Sequence, residues 1–176
     1  MKQNLLVVSY DYHLSRQVAN CLADVFSMRV CDQKELFEFD HIPLTFSEVY
    51  QINGADFINK EMKGTVKMAT EFENVIFVAD ISMADDCSDL FFKLGQNNFI
   101  VMLQKDIEQE MKELSEKEYD SWEAGEFFKT TKELLMAREE VLSESCADSV
   151  IDISGLDIQQ ITSKVVDKIE EYYSVN

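Results

Sequence analysis

Residues 4–26 read NLLVVSYDYHLSRQVANCLADVF, and the fold follows from how that stretch divides. Leu5, Leu6, Val7 and Val8 form the uninterrupted apolar run expected of a strand covered on both faces. A polar turn, Ser9 to His13, comes next. Beyond it Val18, Cys21, Leu22 and Val25 recur at the i, i+3, i+4, i+7 spacing of a helix with one apolar face. A strand, a short turn and a helix in succession make the first unit of an α/β sheet, and the turn holds neither glycine nor lysine.

The same alternation continues to the end of the chain. Met28 to Cys31 reads as a second strand, ending at Asp32, and Glu35 to Phe39 opens a helix or turn. His41 to Leu44 holds the only proline, Pro43, and reads as a loop. Phe46 to Phe72 is helical in pattern, with Val49, Ile52 and Phe57 early, Met62, Val66 and Ala69 late, and Gly54 as a break between two pieces. Asn74 to Asp80 (NVIFVAD) is a third strand, buried on both faces. Ser82 to Leu94 follows as a helix with Asp85 and Asp86 in its first turn, where carboxylates complement the helix dipole, and with Gly95 as its stop. Asn98 to Leu103 (NFIVML) and Ser149 to Ile153 (SVIDI) are the fourth and fifth strands. Between them lies a polar, helix-prone segment, Asp106 to Ser145, with Leu134, Leu135, Ala137 and Val141 as a late stripe. Ser154 and Gly155 turn the chain into a closing amphipathic helix, Ile158 to Tyr173.

Parallel neighbours need helical crossovers, so this order predicts a three-layer α/β/α, doubly wound, five-stranded parallel sheet in one domain spanning residues 1–176. Ligands of such sheets sit beyond the carboxyl ends of the strands, at the switch in strand order. Here that edge comprises the Ser9–His13 turn, Asp32 and Asp80.

Composition narrows the partners. Of 176 residues 46% are hydrophobic, enough for one well-cored domain. Asp and Glu number 34 against 16 Lys and Arg, a net charge of −18 that repels phosphate backbones and anionic lipid; nucleic acid and membrane are not expected partners. Cys21, Cys31, Cys87 and Cys146 are scattered, without C-x-x-C or histidines at zinc spacing; three of them sit beside apolar residues in predicted helices or strands, so buried free thiols in a reducing compartment are expected. The first strand begins too soon to leave room for a signal peptide, and no apolar run reaches about 18 residues. The expected location is the cytoplasm.

Several segments resemble the small-molecule P-loop kinases, nearest shikimate kinase and next the cytidylate-kinase-like group. NLLVV with its helix and then VCDQKELFE (30–38) is similar to that family's strand, phosphate loop, helix and D-T-D-E-L-I-E segment. GADFINKEM (54–62) resembles G-E-x-x-F-R-x-x-E, and ENVIFVAD (73–80) the strand before a glycine triplet. NFIVMLQKDIEQEMKEL (98–114) looks like the strand and helix leading to a lid, here about residues 104–146. AREEVLSESCADSVIDISGLDIQQITSKVVDKI (137–169) resembles the R-x-P-x-Y-x-E-x-A-D-x-V-V-D-T-D-G-x-S ending, and its Ala147–Asp148 pair makes it the most specific match.

The departures fall where the resemblance implies chemistry. G-x-x-x-x-G-K-S/T aligns with Ser9, Tyr10, Asp11, Tyr12, His13, Leu14, Ser15 and Arg16. A cradle works because successive N–H groups converge on the anion, and glycines permit that geometry. Tyr12, His13 and Leu14 carry Cβ atoms, Asp11 adds negative charge, and Ser15 cannot do the work of the lysine. The family's two metal- and substrate-binding aspartates fall on Asp32 and Lys34, its clamping arginine on Ile58, and its glycine triplet on Asp80, Ile81 and Ser82. Arg138 matches the late arginine, while the lid lacks its own.

Each candidate has a functional and a structural reading. Asp32 and Asp80 either hold a metal or ligand or cap helix N-termini. His13 is an acid–base group or a surface residue, and Tyr10, Tyr12 and His13 either stack on a ligand or partner or are plain turn residues. Arg138 binds an anion or pairs with Glu139, Glu140 or an i−4 neighbour. Trp122, Phe127 and Phe128 are local core or a partner face, and the acidic run Glu108–Glu126 is a solvated helix. Phosphoryl transfer rests on positioning and charge neutralisation, so losing these groups together points to an inactive shikimate-kinase-like protein that binds a protein partner or a small ligand and needs no cofactor. The alternative is a divergent kinase using ATP and magnesium, in which Arg16 and Asp32 do the work of the missing groups. A third reading is a small-ligand sensor using the substrate cleft.

Overall fold

The computed structural model describes residues 2–9, 11–69, 71–79, 94–106 and 147–175. Five strands, β1 (Asn4–Ser9), β2 (Arg29–Asp32), β3 (Val75–Val78), β4 (Asn98–Gln104) and β5 (Ser149–Asp152), form one sheet in the order β2-β3-β1-β4-β5. Every pairing is parallel: Leu6 of β1 lies opposite Phe77 of β3 on one side and Ile100 of β4 on the other. The helices that flank it include α1 (Tyr12–Phe26), α2 (Gln33–Asp40), α3 (Phe46–Ala69) and α4 (Ile158–Val175). The doubly wound α/β/α expectation is borne out, and each strand falls within two residues of its predicted bounds.

All six residues of β1 are buried, as the apolar run requires of a central strand. Leu5 and Val7 belong to the core cluster that Val18, Ala19 and Leu22 of α1 share with Ile161, Val165 and Ile169 of α4. Leu6, Phe77, Ile100 and Met102 are equally dry. Burying each such side chain contributes about 1.5–3 kcal/mol. At the opposite edge Lys2 Nζ donates to both Asp148 oxygens, at 2.5 and 2.6 Å, and the Ile100 N–H donates to Asp148 Oδ2 at 2.8 Å. Tyr173 donates to the Lys2 carbonyl at 2.5 Å. Asp148, just ahead of β5, therefore fastens Lys2 to β4, and Tyr173 ties Lys2 to the end of α4.

Several expectations are corrected. The buried stripe of α1 is Ser15, Val18, Ala19 and Leu22; Cys21 is half-buried and Val25 is 55% exposed, because α4 covers only part of the predicted face. Cys31 is likewise half-buried rather than fully buried, on the edge strand β2. Ile52 is exposed although Val49 beside it is buried. Gly54 breaks α3 as expected, with φ 80° and ψ 177°. Gly95 does not stop its helix, since residues 94–97 are helical and run directly into β4. The expected helix over residues 82–93, the segment 107–146, Tyr10, Ile81, Cys87 and Cys146 lie outside the described residues.

Candidate functional site

Because the sheet is wholly parallel, Ser9 and Asp32, the last residues of β1 and β2, reach the same edge. The expected turn from Ser9 to His13 is shorter than the sequence reading gave it: α1 begins at Tyr12, with Asp11 as its N-cap. Asp11 accepts from the Leu14 N–H through its side chain at 3.1 Å and from the Ser15 N–H through its carbonyl at 3.0 Å. The Asp11 N–H itself donates to Ser9 Oγ at 3.1 Å. Three of the amides that a phosphate cradle would aim at an anion thus already have acceptors. One of those acceptors is a carboxylate seated at the helix N-terminus, where an anion would otherwise bind. Tyr12, His13 and Leu14, at the cradle positions, are wound into the helix.

Asp32 is the centre of the remaining polar network. It is 3% exposed and N-caps α2, accepting from the Lys34 and Glu35 N–H groups at 2.8 and 3.1 Å. Tyr12 donates its hydroxyl to the same Oδ1 at 2.5 Å, and that hydroxyl accepts from the Lys34 N–H at 3.2 Å. Arg16 Nε stands 3.5 Å from Asp32 Oδ2 as an ion pair rather than a hydrogen bond, and its Nη2 is bonded to Glu35. The Lys34 ammonium lies 4.1 Å from the centre of the Tyr12 ring, a cation–π contact. A buried carboxylate is costly unless its charge is shared in this way. The capping reading of Asp32 is thereby accounted for by local bonds. Next to it, burial and then the charges of Asp32 and Glu35 push the Cys31 thiol up to about 11.

The other candidates are less joined. Ser15, at the lysine position, is fully buried, and its Oγ has no hydrogen-bond partner among the described residues. His13 is exposed on the first turn of α1. Asp80 and Arg138, the candidate metal and anion residues, and Trp122, Phe127 and Phe128 lie outside the described residues. No group of three or more metal-ligating side chains occurs among the described residues. Phe57, beside Ile58 at the clamp position, packs on Phe37 and Val49 and sets its ring edge-on to His41, 5.9 Å away. Sequence reasoning missed the Tyr12–Asp32–Lys34 contact and the Arg16–Glu35 pair. They join residues about 20 apart with no periodic signal; only Asp11, an N-cap residue type just ahead of the helix, hinted at where α1 starts.

The sheet order and the strand–helix unit at β1 are those of a P-loop-kinase type of α/β fold. Within that class the structure is similar to shikimate kinases. It matches the enzyme of Aquifex aeolicus with a TM-score of 0.79 at 12% identity, over 98% of this chain and 99% of that one. It matches shikimate kinase of Acinetobacter baumannii, in complex with shikimate, with a TM-score of 0.77 at 14% identity, over 98% and 95%. For the Bacteroides thetaiotaomicron enzyme the TM-score is 0.71 at 13% identity, over 96% and 98%. Identities this low speak for the fold alone. No family model matches the sequence, and no curated protein matches it. Among the described residues no helix is long and apolar enough to cross a membrane.

Proposed function

We propose that this kinase-like fold works by binding rather than by phosphoryl transfer, as a regulatory or scaffolding protein whose phosphate site is closed. The observation that carries this reading is the start of α1 at Tyr12, with the Tyr12 hydroxyl bonded to Asp32 and the Asp11 carboxylate on the Leu14 N–H. A triphosphate needs converging free N–H groups and positive charge. At this place the chain supplies a carboxylate, side chains with Cβ atoms, and an arginine facing Asp32 and Glu35. Losing a charged contact of this type costs several kcal/mol, and each ~1.4 kcal/mol is tenfold in rate, so the combined losses leave little catalysis. The divergent-kinase alternative needs Arg16 and Asp32 turned toward a nucleotide, whereas each is turned toward the other.

Calorimetric titration with Mg-ATP, run alone and with shikimate or nucleoside monophosphates, tests this, together with an assay for ADP release. The expected result is no saturable nucleotide binding and no ADP. Binding of shikimate or a monophosphate without turnover would identify the small ligand of a sensor. Saturable Mg-ATP binding with turnover would restore the kinase reading.

A further inference from the structure

Nine large apolar side chains are exposed among the described residues, and five of them, Phe39, Ile42, Leu44, Tyr50 and Ile52, fall within residues 39–52. They belong to the hairpin formed by the end of α2, the turn after it and the first turns of α3. Phe39, Ile42 and Ile52 are 72%, 70% and 67% exposed, and large apolar side chains exposed close together mark interaction surfaces. The hairpin is held firmly from behind. His41 stacks on Phe37 with ring centres 4.3 Å apart, and its Nδ1 lies 2.7 Å from the Phe37 carbonyl. The Leu44 N–H closes the turn on the His41 carbonyl at 2.9 Å. Thr45 and Glu48 form a reciprocal cap: Glu48 Oε2 accepts from the Thr45 N–H and hydroxyl at 2.8 Å each, and Thr45 Oγ1 accepts from the Glu48 N–H at 3.4 Å. An apolar surface on a pre-ordered backbone loses little entropy when it is covered.

We propose that this hairpin is a docking surface for a basic amphipathic segment of a partner protein, whose apolar side chains cover Phe39, Ile42 and Leu44 while its lysines or arginines face Asp40 and Glu48. Charge selects that occupant. Between Phe37 and Asn53 the chain has three carboxylates, Glu38, Asp40 and Glu48, and no Lys or Arg. Two copies meeting through this face would oppose like charges, which disfavours self-association. Nucleic acid and anionic bilayers meet the same repulsion, reinforced by the net charge of −18. A cationic helix with an apolar stripe satisfies both the patch and its acidic surround. The inference extends the binding reading above, yet its test is independent of it.

The probe is a short amphipathic helical peptide of leucine and lysine, with a leucine and glutamate peptide of the same pattern as control, titrated by fluorescence anisotropy with and without Mg-ATP. The expected result is saturable binding of the lysine peptide at below about 100 μM, weakening as salt rises from about 50 to about 300 mM. Phe39→Ser and Ile42→Ser each weaken it by about tenfold or more, because each removes a fully coverable apolar side chain. Asp40→Asn weakens it less, and Val25→Ser, on the exposed side of α1, leaves it unchanged. All four positions are exposed, and circular dichroism checks that the variants keep the wild-type fold. Equal binding of the glutamate peptide, indifference to Phe39→Ser and Ile42→Ser, or no saturable binding overturns the proposal. So does a wild-type dimer in sedimentation that Ile42→Ser dissolves, because the face would then belong to a second copy. An effect of Mg-ATP on its own would overturn the closed-site reading and leave the docking surface standing.

Discussion

Replacing Tyr12 with Phe removes one oxygen and keeps the ring over Lys34. That oxygen donates to a buried carboxylate at 2.5 Å and accepts from the Lys34 N–H at 3.2 Å. A hydrogen bond to a charged acceptor contributes about 1.5–3 kcal/mol. Asp32 Oδ1 keeps two amide donors, at 2.8 and 3.1 Å, so the carboxylate is not stranded and the loss belongs at the lower end, about 1.5–2 kcal/mol. For a chain of this length that corresponds to a fall in Tm of about 3–8 °C. Urea unfolding followed by circular dichroism reads it as a lower midpoint at unchanged slope. The same substitution made in Asp32→Asn should cost about half as much, since the acceptor is then neutral and the two positions are coupled. A loss below about 0.5 kcal/mol, or the same loss in both backgrounds, would show that Tyr12 does not latch α1 to α2 and would refute the reasoning.

Three further outcomes follow from the same structure. Gly54→Ala should destabilise by about 1–3 kcal/mol in urea, because φ 80° and ψ 177° is a glycine conformation; a Cβ there meets nothing within 4 Å, so the cost is backbone strain alone. Asp148→Ala should lose about 1–3 kcal/mol by removing the acceptor of Lys2 and of the Ile100 N–H, and hydrogen exchange should quicken first at the start of β1 and the end of α4. In a variant keeping only Cys31, a thiol pushed up to about 11 should react with a disulfide reagent at neutral pH about 100-fold slower than an exposed cysteine. Asp32→Asn speeds that reaction only in part, burial being the larger cause. A raised thiol value keeps its contribution to stability below pH about 9 and loses it as pH climbs toward 11, so the Cys31→Ser variant should lose less stability across that window.

The framework was legible because it is written in local pattern. NLLVV, VIFV and NFIVML are continuous apolar runs that suit strands buried on both faces, and all three lie in the middle of the sheet. Gly54 and the Ser154–Gly155 turn announced themselves through residue type, and both glycines adopt positive φ. What escaped is what depends on tertiary cover. Periodicity put Val25 and Ile52 on apolar faces, but no sequence signal tells how far a neighbouring helix extends over them. The start of α1 escaped for a different reason. Aligning residues 9–16 with a phosphate loop assumes a loop of the family's length, whereas Asp11, a strong N-cap residue, lets the helix begin with only two residues between it and β1. The Asp32 cluster escaped because its members are joined only by folding: Tyr12 and Arg16 come from one helix, Lys34 and Glu35 from another.

The most direct measurement is a titration of the isotope-labelled protein with Mg-ATP, reading the backbone amide resonances of residues 11–16. With Leu14 and Ser15 bonded to Asp11, and Asp11 bonded to Ser9, those amides should stay unmoved at millimolar nucleotide. Saturable shifts centred on them, with a rise in Tm of several degrees as expected for a ligand well above its Kd, would mean that the helix start opens onto phosphate and that the closed site is wrong.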